Sequence, residues 1–159
     1  MTNVGTFDRG TAVALQGTKV VLGGFAQIKP ANDADFVIVR YRANGTLDAS
    51  FAKNGRRVVD FTGRQDSLQD LLVLPIGTIV GIGTVHVAGD AAAFGLVRLT
   101  AGGALDLTFD GGVTTPFSLP YPDYFEDLAI QSNGRIVVGG WATVTAPDER
   151  FLVGRVLAA

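Results

Sequence analysis

Hydrophobic positions along this chain come in short runs and not in helical stripes. Aliphatic and β-branched residues gather at 19–22 (KVVL), 36–40 (FVIVR), 78–83 (TIVGIG), 94–98 (FGLVR) and 135–138 (RIVV). Gly, Asn, Asp or Pro follow closely, as residues that punctuate strands with tight turns. No window spaces its apolar residues for an amphipathic helix. The middle of the chain reads most completely. It predicts a strand a at 68–74, a turn at 75–77, a strand b at about 78–87 interrupted by Gly81 and Gly83, a loop through Gly89 and Asp90, a strand c at about 93–100, a turn at Gly102 and Gly103, and a strand d near 113–118. Four short strands joined by short loops make one propeller blade. Further on, Asn133-Gly134 predicts a type I′ hairpin turn, which needs φ > 0 at both central residues.

The pattern repeats. A Phe stands four residues before an Arg in Phe36/Arg40, Phe94/Arg98 and Phe151/Arg155, and the Arg positions lie 58 and 57 residues apart (98 − 40 and 155 − 98). Gly24, Gly83 and Gly140 each close a β-branched run at nearly the same interval. A turn follows the Arg, with Leu47-Asp48 before Phe51 and Leu105-Asp106 before Phe109. Repeats of this length point to stacked supersecondary units. The chain therefore reads as one all-β repeat domain over 1–159, with blade 1 at about 11–62, blade 2 at about 67–118 and blade 3 at about 124–159. Residues 4–7 (VGTF) are similar to 58–61 (VVDF). This suggests that residues 3–7 of a partner chain supply the fourth strand of blade 3. Three blades are too few to close a ring, since propellers have about 4 to 8. A two-fold homodimer forming a six-bladed ring is the expected assembly.

The sequence Gln131 to Gly140 (QSNGRIVVGG), the F-x-x-x-R element at 36–40 and Asn44 to Phe51 (NGTLDASF) together resemble the bacterial delta-sixty repeat. The resemblance covers nearly the whole chain and implies a β-propeller of unknown function, found in long secreted or cell-surface proteins. It brings no catalytic residue with it. The second copy departs from the pattern, with Ile76-Gly77 in place of Asn-Gly.

Composition narrows the classes further. The 159 residues are 47% hydrophobic and 18% charged, too apolar for a disordered chain, yet no apolar run reaches the roughly 18 residues of a membrane helix. Net charge is −2 without a basic stripe, which argues against a nucleic-acid partner. Cysteine is absent, so thiolate metal sites and disulfides are excluded. The first ten residues lack the basic and apolar regions of a signal peptide. No cofactor is implied.

Candidate chemistry is sparse. Arg40, Arg98 and Arg155 are expected to pair structurally with the acid of the next turn, Asp48 or Asp106, while Phe51 and Phe109 plug the blade edge and Phe36, Phe94 and Phe151 fill the core. His86 is the single histidine, so a multi-histidine metal site is impossible within one chain. Asp33 and Asp35 are expected to be solvated loop charge, because one D-x-D pair is a weak calcium signal. Asp70 and Asp127 occupy equivalent places in strand a, where they line a channel or cap backbone N–H groups. The a–b and c–d connections are alike between copies, whereas the b–c and d–a connections differ. Arg64, Asp66, Asp90, Tyr121, Asp123 and Tyr124 are therefore the candidates for a ligand face.

Three functions fit. The leading one is a non-catalytic scaffold or interaction module that binds a protein or glycan on the b–c/d–a face. The second is a propeller-type hydrolase or lyase with acids at the channel mouth. The third is an excised or engineered set of blades with no independent function.

Overall fold

The computed structural model describes residues 2–29, 33–87, 92–109, 113–114, 123–145 and 148–156. Eleven strands form three antiparallel sheets among these residues: β1 (Phe7–Gln16), β2 (Lys19–Lys29), β3 (Asp33–Tyr41) and β4 (Arg56–Val59); β5 (Asp66–Val73), β6 (Ile79–His86), β7 (Ala92–Leu99) and β8 (Val113–Thr114); β9 (Asp123–Ile130), β10 (Ile136–Thr145) and β11 (Asp148–Val156). Each sheet is a meander in chain order, the a-b-c-d order of a propeller blade in the first two and a-b-c in the third among the described residues. Strand a of blade 1 begins at Phe7, earlier than the sequence suggests. No helix of the described residues is long and apolar enough to cross a membrane.

The recurrent glycine has a steric cause. In every sheet the a/b register slips by one residue: between Gly10 and Ala12, between Leu68 and Asp70, and opposite the Gly139/Gly140 step, where Glu126 is skipped. Such a bulge bends strand a and pushes its backbone toward strand b. Gly24, Gly83 and Gly140 sit opposite the slips, and a Cβ on them would overlap the carbonyl oxygens of Arg9, Ser67 and Tyr124.

The turns depart from the type I′ expectation. Gly134 has φ of 81°, but Asn133 keeps an ordinary negative φ. The Gly134 N–H bonds to Gln131 O at 2.9 Å, and Gln131 N–H bonds to Arg135 O at 2.8 Å. The hairpin is a longer turn closed by one left-handed glycine. Gly45, Gly77 and Gly103 close their turns in the same way, with φ of 79°, 86° and 86°.

The core lies between sheets. Phe36, Ile38, Phe51 and Val59 of blade 1 pack on Leu68, Leu71, Ile79 and Val97 of blade 2. Phe94 and Leu96 of blade 2 pack on Phe125, Leu128 and Val138 of blade 3. The Phe94 and Phe125 ring centroids are 4.4 Å apart. The third phenylalanine of the repeat differs: Phe151 is 99% exposed, because burial at this position comes from the following blade. It does not share the core role that the repeat suggests, and Phe151→Ala is not expected to cost the single chain what Phe94→Ala does.

Residues 3–6 take a place other than a fourth strand. Asp8 pairs with Ala26 as Asp66 pairs with Val85 and Asp123 with Ala142, so residues 3–7 correspond in register to 61–65, the d–a connection, and not to 58–61. Val4 packs on Ala26, Val37 and Val39 of its own blade.

Candidate functional site

The two ends of the blades obey different rules. At the a–b/c–d end, Arg40 donates from Nε to Asp48 Oδ2 at 2.9 Å, and its guanidinium carbon lies 4.6 Å from the Phe51 ring centre. Asp48 Oδ1 accepts from Ser50 Oγ at 2.7 Å, and Lys19 Nζ lies 2.8 Å from Oδ2. The bonds from Lys19 and Ser50, together with the Arg40 charge, hold the Asp48 carboxyl well below the usual range. Blade 2 repeats the arrangement: Arg98 Nε to Asp106 Oδ2 at 2.7 Å, Thr108 Oγ1 to Asp106 Oδ1 at 2.6 Å, and Arg98 over Phe109 at 4.9 Å. Thr108 and Arg98 lower the Asp106 pKa.

This end also joins blades. Arg40 donates to Ala101 O at 2.7 Å, Gln16 Nε2 to Gly77 O at 2.6 Å, Arg57 Nε to Gly103 O at 2.8 Å and Ala52 N to Gly102 O at 2.8 Å. Phe51 rests against Gly103, where a Cβ would meet its ring. Phe51 therefore seals the seam to the next blade as well as its own turn. Arg155 of blade 3 is exposed and has no ion pair among the described residues.

At the opposite end, the b–c and d–a connections meet. Thr62 Oγ1 donates to His86 O at 2.6 Å, and His86 Nδ1 lies 2.6 Å from Gln65 O. The histidine thus ties two loops together. In blade 1, Asp33, Asp35 and Asp60 bring carboxylate oxygens within 4.8 Å of one another. The reason is the sheet register. Phe36 pairs with Val59, so Asp35 and Asp60 come next to each other just beyond that pair. Asp35 is 1% exposed, which corrects the expectation of solvated loop charge. Asp60, whose Oδ1 accepts Gly63 N–H at 2.5 Å, is the member that sequence reasoning missed, since only the β3–β4 pairing brings it there. Each of the three acids has further interactions, and three side-chain oxygens are fewer than the six to eight or so that calcium takes.

The ligand-face candidates separate. Arg64 is exposed in the d–a connection. Asp66 is fully buried, and its Oδ2 accepts Phe61 N–H at 2.9 Å, as Asp8 accepts Val4 and Gly5 N–H at 2.9 Å. Burial pushes the Asp66 pKa up to about 7, helped by the nearby Asp35 and Asp60 charges. Asp66 is a cap of the d–a connection, and the 8/66/123 spacing (66 − 8 = 58, 123 − 66 = 57) is the signal that would have revealed it. The Asp123 backbone keeps this register, but its side chain, Asp90 and Tyr121 lie outside the described residues. Tyr124 belongs to a sheet face, where it stacks on Trp141 at 4.3 Å.

Of the two strand a acids, Asp70 serves as a cap. Asp70 Oδ1 accepts Leu71 N–H at 2.8 Å and Oδ2 accepts Leu128 N–H of the next blade at 3.1 Å. Burial, then a hydrogen bond shared with Asp127, raises the Asp70 pKa.

Three meandering sheets, packed face to face and sutured at one end, are blades of a β-propeller. The family model for the beta-propeller domain of unknown function DUF5122 matches residues 19–51, 77–109 and 131–158, and the chain belongs to that family. The first two matched segments run from the start of strand b, or the turn before it, to the turn phenylalanine, so they carry the scaffold of the Arg–Asp clamp. No curated protein matches the chain.

Proposed function

We propose that this chain is a non-catalytic propeller scaffold that presents a protein- or glycan-binding surface on its b–c/d–a face. The observation that carries the reading is the contrast between the two ends. One end uses the same Arg–Asp–Phe clamp twice and spends its polar groups on joining blades. The other shares an Asp cap, Asp8 and Asp66, but adds a different chemistry in blades 1 and 2, with three clustered acids in blade 1 and a His86–Thr62–Gln65 tie in blade 2. Varied loops on a rigid scaffold are where binding is commonly built. The motifs shared with the delta-sixty repeat support the same scaffold. A hydrolase or lyase reading draws on Asp70 and Asp127, but both Asp70 oxygens are committed to backbone N–H groups.

Binding to a defined glycan array and a surface-protein panel tests this reading. Arg64→Ala should abolish retention without shifting the melting temperature, whereas Lys53→Ala and Leu107→Ala on the opposite end should leave it intact. The reverse pattern, or no retention by either panel, would refute the assignment.

A further inference from the structure

We infer that the two outermost sheet faces are halves of one interface, and that a second copy of this chain docks its blade 1 onto blade 3 of the first. The inference uses surfaces separate from the loop face and rests on the contacts between blades.

By register, Phe36, Phe94 and Phe151 are equivalent, as are Ile38, Leu96 and Val153. The first two members of each set are fully buried against the next blade, while Phe151 is 99% and Val153 74% exposed. The other outermost face shows the complementary deficit. Leu71 and Leu128 are buried by the preceding blade, but their equivalent Val13 is 66% exposed, and Leu15 beside it is 68% exposed. Blade 1 thus lacks a neighbour on the side where blade 3 offers one.

The shapes also fit. Phe94 meets Phe125 across the blade 2/blade 3 seam. Phe125 and Leu68 correspond to Gly10 in blade 1. With no side chain there, the face is concave, lined by Gly10, Leu22, Gly24, Val37 and Tyr41. A protruding Phe151 has room where the internal seams place a bulky residue. Val4 does not block this docking. It lies on blade 1 in the register position near that of Phe61 on blade 2, held by the Asp8 cap as Phe61 is held by Asp66. Two copies supply six blades, within the range of about 4 to 8 that closes a propeller, and the two seams of a two-fold ring are identical.

Sedimentation equilibrium over a wide concentration range tests the inference. The native chain should have twice its 16.6 kDa mass. Phe151→Asp and Val13→Asp, at positions exposed in the single chain, should each give a folded species of monomer mass with an unchanged circular dichroism spectrum. Mixing the two variants should restore a dimer, because one of the two seams then pairs intact faces. A native monomer at every concentration, or a dimer that persists in both variants, would overturn the interface. A mass that grows continuously with concentration would overturn closure as a ring.

Discussion

Arg40 and Asp48 are joined by a 2.9 Å hydrogen bond from Nε to Oδ2, eight residues apart across the c–d turn. The same guanidinium reaches Gln16 Oε1 at 2.6 Å and Ala101 O of the next blade at 2.7 Å. One side chain therefore fixes a turn, a strand end and a seam.

Arg40→Ala should lower the melting temperature more than Arg98→Ala, because among the described residues the Arg98 guanidinium hydrogen-bonds only Asp106 and Thr108 of its own turn. Arg40→Lys should not recover the loss, since an ammonium lacks the planar fork that serves three acceptors at once. Arg155→Ala, at a position exposed in the single chain, should change little in the monomeric Phe151→Asp background. Thermal melts followed by circular dichroism give the order, and Arg98 proving the more costly would contradict the seam role of Arg40.

The buried phenylalanines provide a second test. Phe94→Ala and Phe36→Ala should each destabilise by about 3–5 kcal/mol, the cost of truncating a packed aromatic. Urea denaturation measures this. A loss no larger than that of a surface substitution at either position would mean that the two repeats do not share a core.

The glycines separate steric need from mere occurrence. Gly83→Ala drives a Cβ into Ser67 O and should cost about 1–3 kcal/mol or more. Gly139, next to Gly140 in the third repeat's Gly-Gly pair, faces open space in the single chain, so in the monomeric Phe151→Asp background Gly139→Ala should stay within about 0.5 kcal/mol. Equal effects in urea melts would rule out the bulge as the reason for the motif.

Asp66 should make stability depend on pH. Its folded pKa of about 7 stands above the unfolded value of about 3.9. Between these values the native state holds a proton that the unfolded chain has lost, so this group's contribution falls as pH rises from about 4 to about 7. Asp48 and Asp106, with lowered pKa values, act in the opposite sense only at lower pH. Asp66→Asn keeps an acceptor for Phe61 N–H and removes the charge beside Asp35 and Asp60. It should raise the melting temperature at pH 8 and leave it nearly unchanged at pH 4. An equal shift at both values would show that Asp66 does not titrate in this window.

Much of the fold is legible because its rules are local. The Phe–Arg spacing locates strand c, and the L-D-x-x-F turn locates the clamp, since Arg and acid belong to one blade and return at a constant interval. The site is less legible. Asp60 joins Asp33 and Asp35 only through a pairing across some 25 residues (60 − 35 = 25). Asp66 reads as a surface acid until its burial and its bond to Phe61 are seen.

The sequence by itself determined the repeat, the strand order within a blade and the identity of the clamp, because short-range turn chemistry and strand patterning specify them. Only the tertiary structure decided which equivalent residues are buried. Phe36, Phe94 and Phe151 occupy the same position in their repeats, yet the first two are covered and the third is exposed. In stacked sheets the core belongs to the contact between neighbours, so burial depends on which blade comes next and not on the residue alone.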